Sequence, residues 1–276
     1  MNQPDYLDMP SEFPPAWASA YGQDSKGYWL ELVFYNQSLH FRWIPGGQFT
    51  MGSNVNETGR DDDEDPHKVV LTTGFWLAEI TVTQALWLAV MGENPSYFQK
   101  GETGAFPVEQ VSWEDVQSFI AQLNQFNPDI KVRLPWEAEW EYACRAGSIT
   151  PFSFGNNISP EQVNYDGDNP YADAKKGLNR KKTVAVKSLA ANSWGLYEMH
   201  GNVWEWCQDS WQENLGTEQV SDPWLLNKDK LEQGAGRVLR GGSWSHDGRL
   251  VRSAMRSCIR PVKRYNDIGF RLSLGL

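Results

Sequence analysis

The residue types that most often carry redox, metal or nucleophilic chemistry are scarce in this sequence and stand far apart along it. They are three cysteines and four histidines: Cys144, Cys207, Cys258, His40, His67, His200 and His246. The odd, low cysteine count argues against a disulfide framework, and no spacing matches a zinc site. No two histidines form a His-x-x-x-His pair. The sequence therefore contains no local metal motif built from these side chains alone.

Carboxylates are concentrated in one short segment. Five acidic residues occupy positions 61–65, within the stretch NETGRDDDEDPHK. Such an oxygen-rich run can bind Ca²⁺, but a run of like charge is more often a solvated loop. We therefore interpret residues 61–65 as a charged surface loop, with calcium binding as the alternative.

Charge is unevenly spread along the chain. The net charge of −10 argues against non-specific binding of nucleic acid or acidic membranes, so we expect no nucleic-acid partner. Residues 237–271, however, contain nine Lys or Arg and two Asp or Glu, which indicates a basic binding surface. The alternative is that Arg240, Arg252, Arg256 and Arg271 are scaffold residues paired with carboxylates elsewhere.

Three stretches have the pattern and the boundary residues of helices. Thr83 precedes a helical stretch that ends at Gly92, and Ser112 precedes the clearest amphipathic run, VSWEDVQSFIAQLNQF. The third stretch, RLPWEAEWEYACRAG, begins near Pro135 and ends at Gly147. Beyond residue 148 regular periodicity fades, and we expect aromatic anchors from the 14 tryptophans to hold long irregular segments.

Strands are expected in the first third of the chain. Alternating apolar residues in YWLELVFYNQSLHFRWI predict a β-hairpin that turns at residues 36–38, and VVLTTGFWLAEITVT predicts a second strand pair. Residues 1–25 are polar and contain prolines, which is typical of a tail lying on the body. We expect one domain over residues 26–276, with a C-terminal binding region at 237–276.

The start of the chain has no basic segment followed by an apolar run, and no stretch approaches the ~18 apolar residues of a membrane span. We therefore expect no signal peptide and a cytoplasmic location. The sequence leaves the oligomeric state open.

Six ordered motifs carry a family resemblance: PGGQFTMGS, PVEQVSWEDVQSF, RLPWEAEWEYACRAG, GLYEMHGNVWEWCQDSW, RVLRGGSW and IGFRL. Over roughly residues 40–274 the chain resembles the formylglycine-generating-enzyme, or sulfatase-modifying-factor, superfamily. The resemblance implies a C-type-lectin-like α+β fold. Its features would be two main helices packed on small twisted antiparallel sheets, and much irregular chain.

The resemblance implies that the catalytic members of that superfamily hold Cu(I) on two cysteines just after the Gly-Gly-Ser-aromatic motif. Soft thiolates are ligands that suit Cu(I). The corresponding stretch here, residues 245–256, has no cysteine, so we expect no copper. A related branch, the iron sulfoxide synthases, uses three histidines and an additional helical domain. The four histidines of this chain form no His-x-x-x-His pair and the additional helical domain is absent, so we expect no iron.

The resemblance also implies a calcium site in GLYEMHGNVWEW. Residue by residue, the family's ligands correspond to the Glu198 side chain, the Gly201 and Val203 carbonyls and the Glu205 side chain, and hard oxygen ligands suit Ca²⁺. The alternative is that this turn closes by hydrogen bonds alone. A second family site would use Asn164, but no matching aspartate is found for it.

The C-terminal segment interleaves scaffold-like motifs with residues that share no period and no common chemistry. This arrangement resembles the variable region of lectin-fold proteins diversified by retroelements, in which a rigid frame presents changeable side chains. Trp244 and Tyr265 would be its aromatic anchors. The predicted binding residues are Trp244, Ser245, His246, Asp247, Arg249, Leu250, Met255, Ser257, Cys258, Ile259, Val262, Lys263, Tyr265, Asn266 and Asp267.

Two main functions follow from these observations. The first is a non-catalytic module that binds a protein or small molecule at its C-terminal face, as a variable protein of a diversity-generating retroelement would. The second is a metal-dependent oxidoreductase of the same superfamily with altered ligands, in which His246 replaces one copper ligand and Cys258 contributes. A structural or assembly subunit is the remaining possibility.

Overall fold

The computed structural model describes residues 9–10, 12–99, 104–226 and 236–275. The strands within these ranges are β1 (Ala20–Asp24), β2 (Gly27–Phe34), β3 (Gln37–Ile44), β4 (Gly47–Met51), β5 (His67–Leu71), β6 (Phe75–Ala78), β7 (Val132–Arg133), β8 (Trp204–Ser210), β9 (Val220–Ser221), β10 (Arg237–Arg240), β11 (Arg256–Ile259), β12 (Ile268–Gly269) and β13 (Ser273–Leu274). The α-helices are α1 (Gln84–Met91), α2 (Trp113–Phe126) and α3 (Glu137–Arg145), and short 3₁₀ turns cover Pro223–Leu226 and Gly248–Val251. None of the described helices is long and apolar enough to cross a membrane.

The strands form three small sheets, so the expected α+β fold is confirmed. The sheet orders are β1-β2-β3-β6-β13-β7, β11-β10-β8-β12 and β4-β5-β9. Most neighbours are antiparallel, but β12 pairs with β8, and β5 with β9, in parallel. The C-terminal strand β13 lies between β6 and β7, so the end of the chain is built into the largest sheet.

The first hairpin is tighter than the sequence predicts. Its turn consists of Tyr35 and Asn36, which both have positive φ, and Gln37 and Ser38 already belong to β3. Two consecutive left-handed residues make the turn that matches the natural twist of a hairpin. Strand β1 pairs with β2, so the sheet already begins inside the segment expected to be a tail. Residues 1–8 and 11 of that segment lie outside the described residues.

Thr83, Gly92 and Ser112 cap α1 and α2 as the sequence predicts. The Thr83 side chain accepts from the Leu86 amide at 3.3 Å, and Gly92 ends α1 in the left-handed conformation. Ser112 and Asp115 form a reciprocal capping box at the start of α2. The third helix ends one residue earlier than expected, because its left-handed cap is Ala146 (φ 45°) rather than Gly147.

Tryptophan indoles join separate segments of the chain by hydrogen bonds to backbone carbonyls. The Trp206 indole donates to the Val111 carbonyl at 3.0 Å, and that of Trp113 donates to the Cys207 carbonyl at 3.0 Å. Residues 148–203 contain no helix or strand longer than an isolated bridge, although all of them are described. Side-chain amides in this segment supply backbone groups with hydrogen bonds that a sheet would otherwise provide. For example, Asn202 Oδ1 accepts from the Val184 amide at 2.9 Å. The expectation of long irregular segments is confirmed.

Buried arginine–glutamate pairs tie the C-terminal segment to the rest of the chain. Arg252 donates to both oxygens of Glu64, each at 2.7 Å, and to Glu57 at 2.7 Å. Arg271 binds Glu205 through two hydrogen bonds of 2.6 Å. Both arginines are fully buried. Glu64 belongs to the acidic run 61–65, so that segment is not simply the solvated loop expected from its charge.

Two further arginines complete this set. Arg240 donates to Glu141 and to the carbonyls of residues 253–255, at 2.6 to 2.9 Å for the carbonyls. Arg256 donates to Glu137 at 2.6 and 3.1 Å. Together with Arg252 these pairs confirm the scaffold interpretation, because the guanidinium groups are unavailable to a ligand. The basic C-terminal surface is correspondingly smaller than the sequence suggests.

We predict that Arg252→Met destabilises the fold by about 3–5 kcal/mol, because Glu57 and Glu64 would remain buried without their partner. Equilibrium unfolding in urea measures this loss. The matched control is Arg264→Met in the same segment. Arg264 pairs with Asp115 but its side chain is 51% exposed, so its loss costs no more than about 1 kcal/mol. Equal losses in the two variants would contradict the anchoring role of Arg252.

Candidate ligand-binding face

A glycine pair places the first residues of the candidate face. Gly241 and Gly242 follow β10 with φ of 93° and 70°, a conformation that side chains with a Cβ rarely adopt. A Cβ on Gly242 would overlap the Leu250 carbonyl oxygen, so the two chain segments approach closely here. The turn buries Ser243 and brings Trp244 to the surface, half-buried.

Four polar side chains meet beyond this turn. The Ser243 hydroxyl lies 2.6 Å from His246 Nδ1 and donates to Asp267 Oδ2 at 2.9 Å. Ser245, which is exposed, donates to the same carboxylate oxygen at 3.1 Å. The structure thus brings together three of the predicted binding residues, Ser245, His246 and Asp267. It adds Ser243, which sequence analysis placed in the scaffold.

The polar cluster does not have the geometry of a serine nucleophile. In a serine–histidine–aspartate triad, the serine and the carboxylate contact opposite ring nitrogens. Here both face Nδ1 of His246, with Asp267 at 3.7 Å. Burial lowers the pKa of His246, so its ring is neutral at pH 7. The cluster can donate and accept hydrogen bonds, which suits recognition of a ligand.

Aromatic rings flank the polar cluster. Trp244 packs edge-to-face against Phe98 with centroids 5.4 Å apart, and its indole donates to the Asn266 carbonyl at 3.3 Å. Trp204 makes a similar contact with His246 at 5.4 Å. Rings held in this way lose little conformational entropy when a ligand packs on them. Neither Phe98 nor Trp204 was predicted as part of the site.

The predicted binding residues differ widely in exposure. Met255 is buried in the main core and lies outside the face, because its sulfur and its backbone contact Arg252 and Arg240. Three others lie along β11, opposite β10, and no contact joins them to the cluster among the described residues. The exposed members are Ser245, Arg249, Val262, Lys263 and Tyr265; the half-buried members are Trp244, His246, Asp247, Leu250, Ser257, Cys258, Ile259, Asn266 and Asp267.

The cysteines are not arranged as a thiolate pair. Cys144 and Cys207 are buried, and burial raises the pKa of the Cys144 thiol to about 12. Cys258 lies on β11 opposite Val238, and burial raises its pKa as well. Thiolates are the metal-binding form of cysteine, so these environments disfavour ligation. Within the described ranges, no three His, Cys, Asp or Glu side chains are grouped so that they could hold a metal ion.

The residues matched to the calcium site lie around a buried turn. Glu198 has φ 48°, is 6% exposed, and accepts only two long backbone hydrogen bonds, at 3.2 and 3.4 Å. Burial raises its pKa to about 7, and the nearby Glu205 carboxylate adds to this. Glu205 Oε2 accepts from both Arg271 and Trp140, while Arg271 is the donor to its Oε1. The weakly bonded Glu198 carboxylate fits a hard cation, whereas Glu205 is already paired with Arg271 and Trp140.

Asn164 contributes its side chain elsewhere. Its amide donates to the Lys182 carbonyl at 3.0 Å and to Asn202 Oδ1 at 3.1 Å, and its backbone bridges Gly201. The side-chain oxygen is buried and has no hydrogen-bond partner. The residue therefore supports the turn that carries Gly201 and leaves one oxygen free.

One acidic residue of the site was missed at the level of sequence. Glu109 is fully buried; its Oε1 accepts from the Phe98 amide at 2.8 Å, and its Oε2 has no hydrogen-bond partner. Asp267 lies near enough to add to the burial effect that raises the pKa of Glu109 to about 7. The sequence did contain a signal for this residue: Glu109 is a charged residue within an apolar run, between Val108 and Val111.

The fold and these motifs agree with comparisons to known proteins. The family described as the sulfatase-modifying factor enzyme 1-like domain matches residues 35–274, so this chain belongs to that family. The formylglycine-generating enzyme of Mus musculus is 30% identical over 285 residues, which cover 83% of this chain and 73% of the relative. The resemblance stated from the motifs is confirmed.

Two solved structures share the fold over nearly their whole length. Treponema denticola variable protein 1 is 26% identical with a TM-score of 0.73, and the match covers 89% of this chain and 98% of that one. PvdO from Pseudomonas aeruginosa is 25% identical with a TM-score of 0.69, covering 94% and 99%. The fold class therefore includes both a variable protein and relatives named as enzymes.

We predict that Glu109 makes the stability of the protein pH-dependent. Its pKa is raised in the folded state, so the free energy of unfolding falls as the pH rises from about 4.5 to about 7. Glu109→Gln keeps an acceptor for the Phe98 amide without the charge. Between pH 5 and pH 8 the free energy of unfolding should fall in both proteins. We expect the fall in the variant to be smaller than that in the parent by up to roughly 3 kcal/mol.

Urea unfolding across this pH range measures the effect. Glu93→Gln, which removes an exposed carboxylate, is the control and leaves the pH profile of the parent unchanged. If the Glu109→Gln profile also followed that of the parent, the buried charge would not be the cause.

Proposed function

We propose that this chain is a non-catalytic binding protein of the variable-protein type, which presents a ligand-binding face at its C-terminus. The observation that carries the proposal is the pairing of a rigid frame with exposed, chemically mixed side chains. Arg240, Arg252 and Arg271 hold the backbone in place, while Ser245, Trp244 and their neighbours face outward. Such a frame suits recognition, because the contact residues can change without disturbing the core.

The cysteines and the structural likeness support the same proposal. The stretch at which catalytic relatives would hold copper contains His246 but no thiol. Cys258 is a half-buried thiol on a paired strand. The likeness to Treponema denticola variable protein 1, at 26% identity and a TM-score of 0.73, favours the variable-protein type.

A metal-dependent oxidoreductase is the second candidate function. It is favoured by the 30% identity to a formylglycine-generating enzyme and by His246, which lies between Ser243 and Trp204 where a ligand could approach. In this alternative, His246 and Cys258 would supply the donors. The raised pKa of Cys258 opposes it, since the thiolate is the binding form.

Metal content and thiol oxidation separate the two functions. We predict that protein reconstituted anaerobically with Cu(I) or Fe(II) and then desalted retains no stoichiometric metal, measured by inductively coupled plasma mass spectrometry. It should also consume no oxygen with a cysteine-containing peptide. The variants His246→Ala and Cys258→Ala serve as controls. Stoichiometric metal and oxidase activity, both lost in these variants, would establish the enzyme and overturn the binding proposal.

We also propose that Ca²⁺ binds at Glu198 and Glu205 with the Gly201 and Val203 carbonyls. A divalent cation there would neutralise the Glu198 carboxylate, which forms no ion pair in the described part of the chain. The ion would have a structural role, because it would join the turn to strand β8.

Calcium should therefore raise the midpoint of thermal unfolding relative to EGTA. A Ca²⁺ concentration 100-fold above Kd contributes about 2.7 kcal/mol to stability. Glu198→Gln should abolish the response, whereas Glu213→Gln, which alters an exposed carboxylate, should keep it. A response that is absent from the parent, or unchanged in Glu198→Gln, would exclude this site. Differential scanning fluorimetry is sufficient for the measurement.

A further inference from the structure

Two carboxylates at the candidate face lack a cationic partner. Glu109 is fully buried with Oε2 unpaired, and Asp267 accepts hydrogen bonds from Ser243 and Ser245. Neither carboxylate forms an ion pair with a lysine or arginine of the described ranges. Of the described residues, His246 is the ionisable base beside Asp267, and burial lowers its pKa, which disfavours its charged form. Asp267 is therefore a half-buried carboxylate that has no lysine or arginine counter-ion within the described ranges.

Most basic residues of the C-terminal segment are paired with carboxylates other than Asp267. Arg264 forms two hydrogen bonds of 2.7 Å with Asp115, and Arg249 pairs with Asp247 at 2.9 Å. The buried arginines are likewise bound to Glu64, Glu137, Glu141 and Glu205. Six of the nine basic residues of 237–271 are therefore paired with carboxylates, whereas the exposed Arg260 and Lys263 form no ion pair within the described ranges.

Aromatic surface lies next to these carboxylates. Trp244 is half-buried, so part of its indole ring is accessible, and Phe98 packs against it with centroids 5.4 Å apart. Glu109 fixes this pair, because its Oε1 binds the Phe98 amide and its own amide donates to Ser96. Tyr265, 48% exposed, accepts through its carbonyl from the Gln110 amide. Carboxylate oxygens beside indole and phenyl rings form a setting that attracts organic cations.

We propose that this face binds an alkylammonium or guanidinium group, as carried by a basic peptide, with the cation against Trp244 and the Asp267 carboxylate as its counter-ion. Glu109 is a positioning residue, because its carboxyl group holds Phe98 through the hydrogen bond from the Phe98 amide. This inference rests on the proposed binding function and specifies the chemical class of the ligand. The group would gain a charged hydrogen bond and a cation–π contact at the same time.

Protein NMR can test the inference with defined probes. The full-length ¹⁵N-labelled protein is titrated with the N-acetyl, N-methylamide derivatives of lysine, arginine, norleucine and glutamate. Norleucine is the uncharged analogue of lysine and glutamate the anionic probe. The indole N–H signal of Trp244 is identified as the one missing in Trp244→Phe. We expect the lysine and arginine probes to shift this signal saturably, at concentrations about tenfold lower than norleucine requires.

Variants identify which carboxylates are responsible. Asp267→Asn should weaken binding of the cationic probes by about tenfold or more. Glu109→Gln should weaken it by a smaller factor and also move the Phe98 amide signal. Asp247→Asn is the matched control, because it removes a carboxylate that already pairs with Arg249 on the same face. It should leave binding unchanged. Thermal unfolding confirms that each variant is folded.

Several outcomes would overturn the inference. One is a Trp244 shift of equal size and affinity with norleucine or glutamate; another is an unchanged affinity in Asp267→Asn. A third is the lack of any saturable shift with both cationic probes. These outcomes would leave the binding function standing with a different ligand class. Failure of the binding function itself would appear separately, as metal-dependent oxidase activity.

Discussion

Buried ion pairs between arginines and glutamates are the interaction on which this structure depends. Arg252 and Glu64, Arg271 and Glu205 are distant in sequence, and in both pairs the guanidinium group is fully buried. Removing one partner of such a pair is costly, because the other is left as an uncompensated charge in the interior. Buried ion pairs such as Arg252–Glu64 therefore fix the position of irregular segments that lie outside the sheets.

This arrangement separates the residues that hold the C-terminal segment from those that face outward. The arginines occupy the interior positions, and Trp244 and Ser245, beside them in sequence, need no role in stability. A frame of this kind is compatible with the proposed binding function, because surface side chains can differ without disturbing the buried ion pairs. The polar cluster around Asp267 is arranged for hydrogen bonding, and its serine and carboxylate face the same nitrogen of His246 rather than opposite ones.

Much of the fold and part of the site could be predicted from sequence. The caps at Thr83 and Ser112 depend on bonds within a few residues, so local chemistry was sufficient for them. The first hairpin was predicted with the wrong turn, because Tyr35 adopts a positive φ that its type does not suggest. Glu64 was interpreted as solvated because its partner, Arg252, lies 188 residues away. Met255 was predicted at the surface although it packs in the core.

The sequence by itself determined the family, the three helices and the absence of cysteines after Gly-Gly-Ser-Trp, since these depend on residue identity and short spacing. Only the tertiary structure decided which charges cancel. It pairs Arg240, Arg252, Arg256 and Arg271 with distant glutamates, yet gives neither Glu109 nor Asp267 a lysine or arginine partner within the described ranges. The physical reason is that electrostatic pairing depends on distance in space, and residues far apart in the chain become neighbours only when it folds.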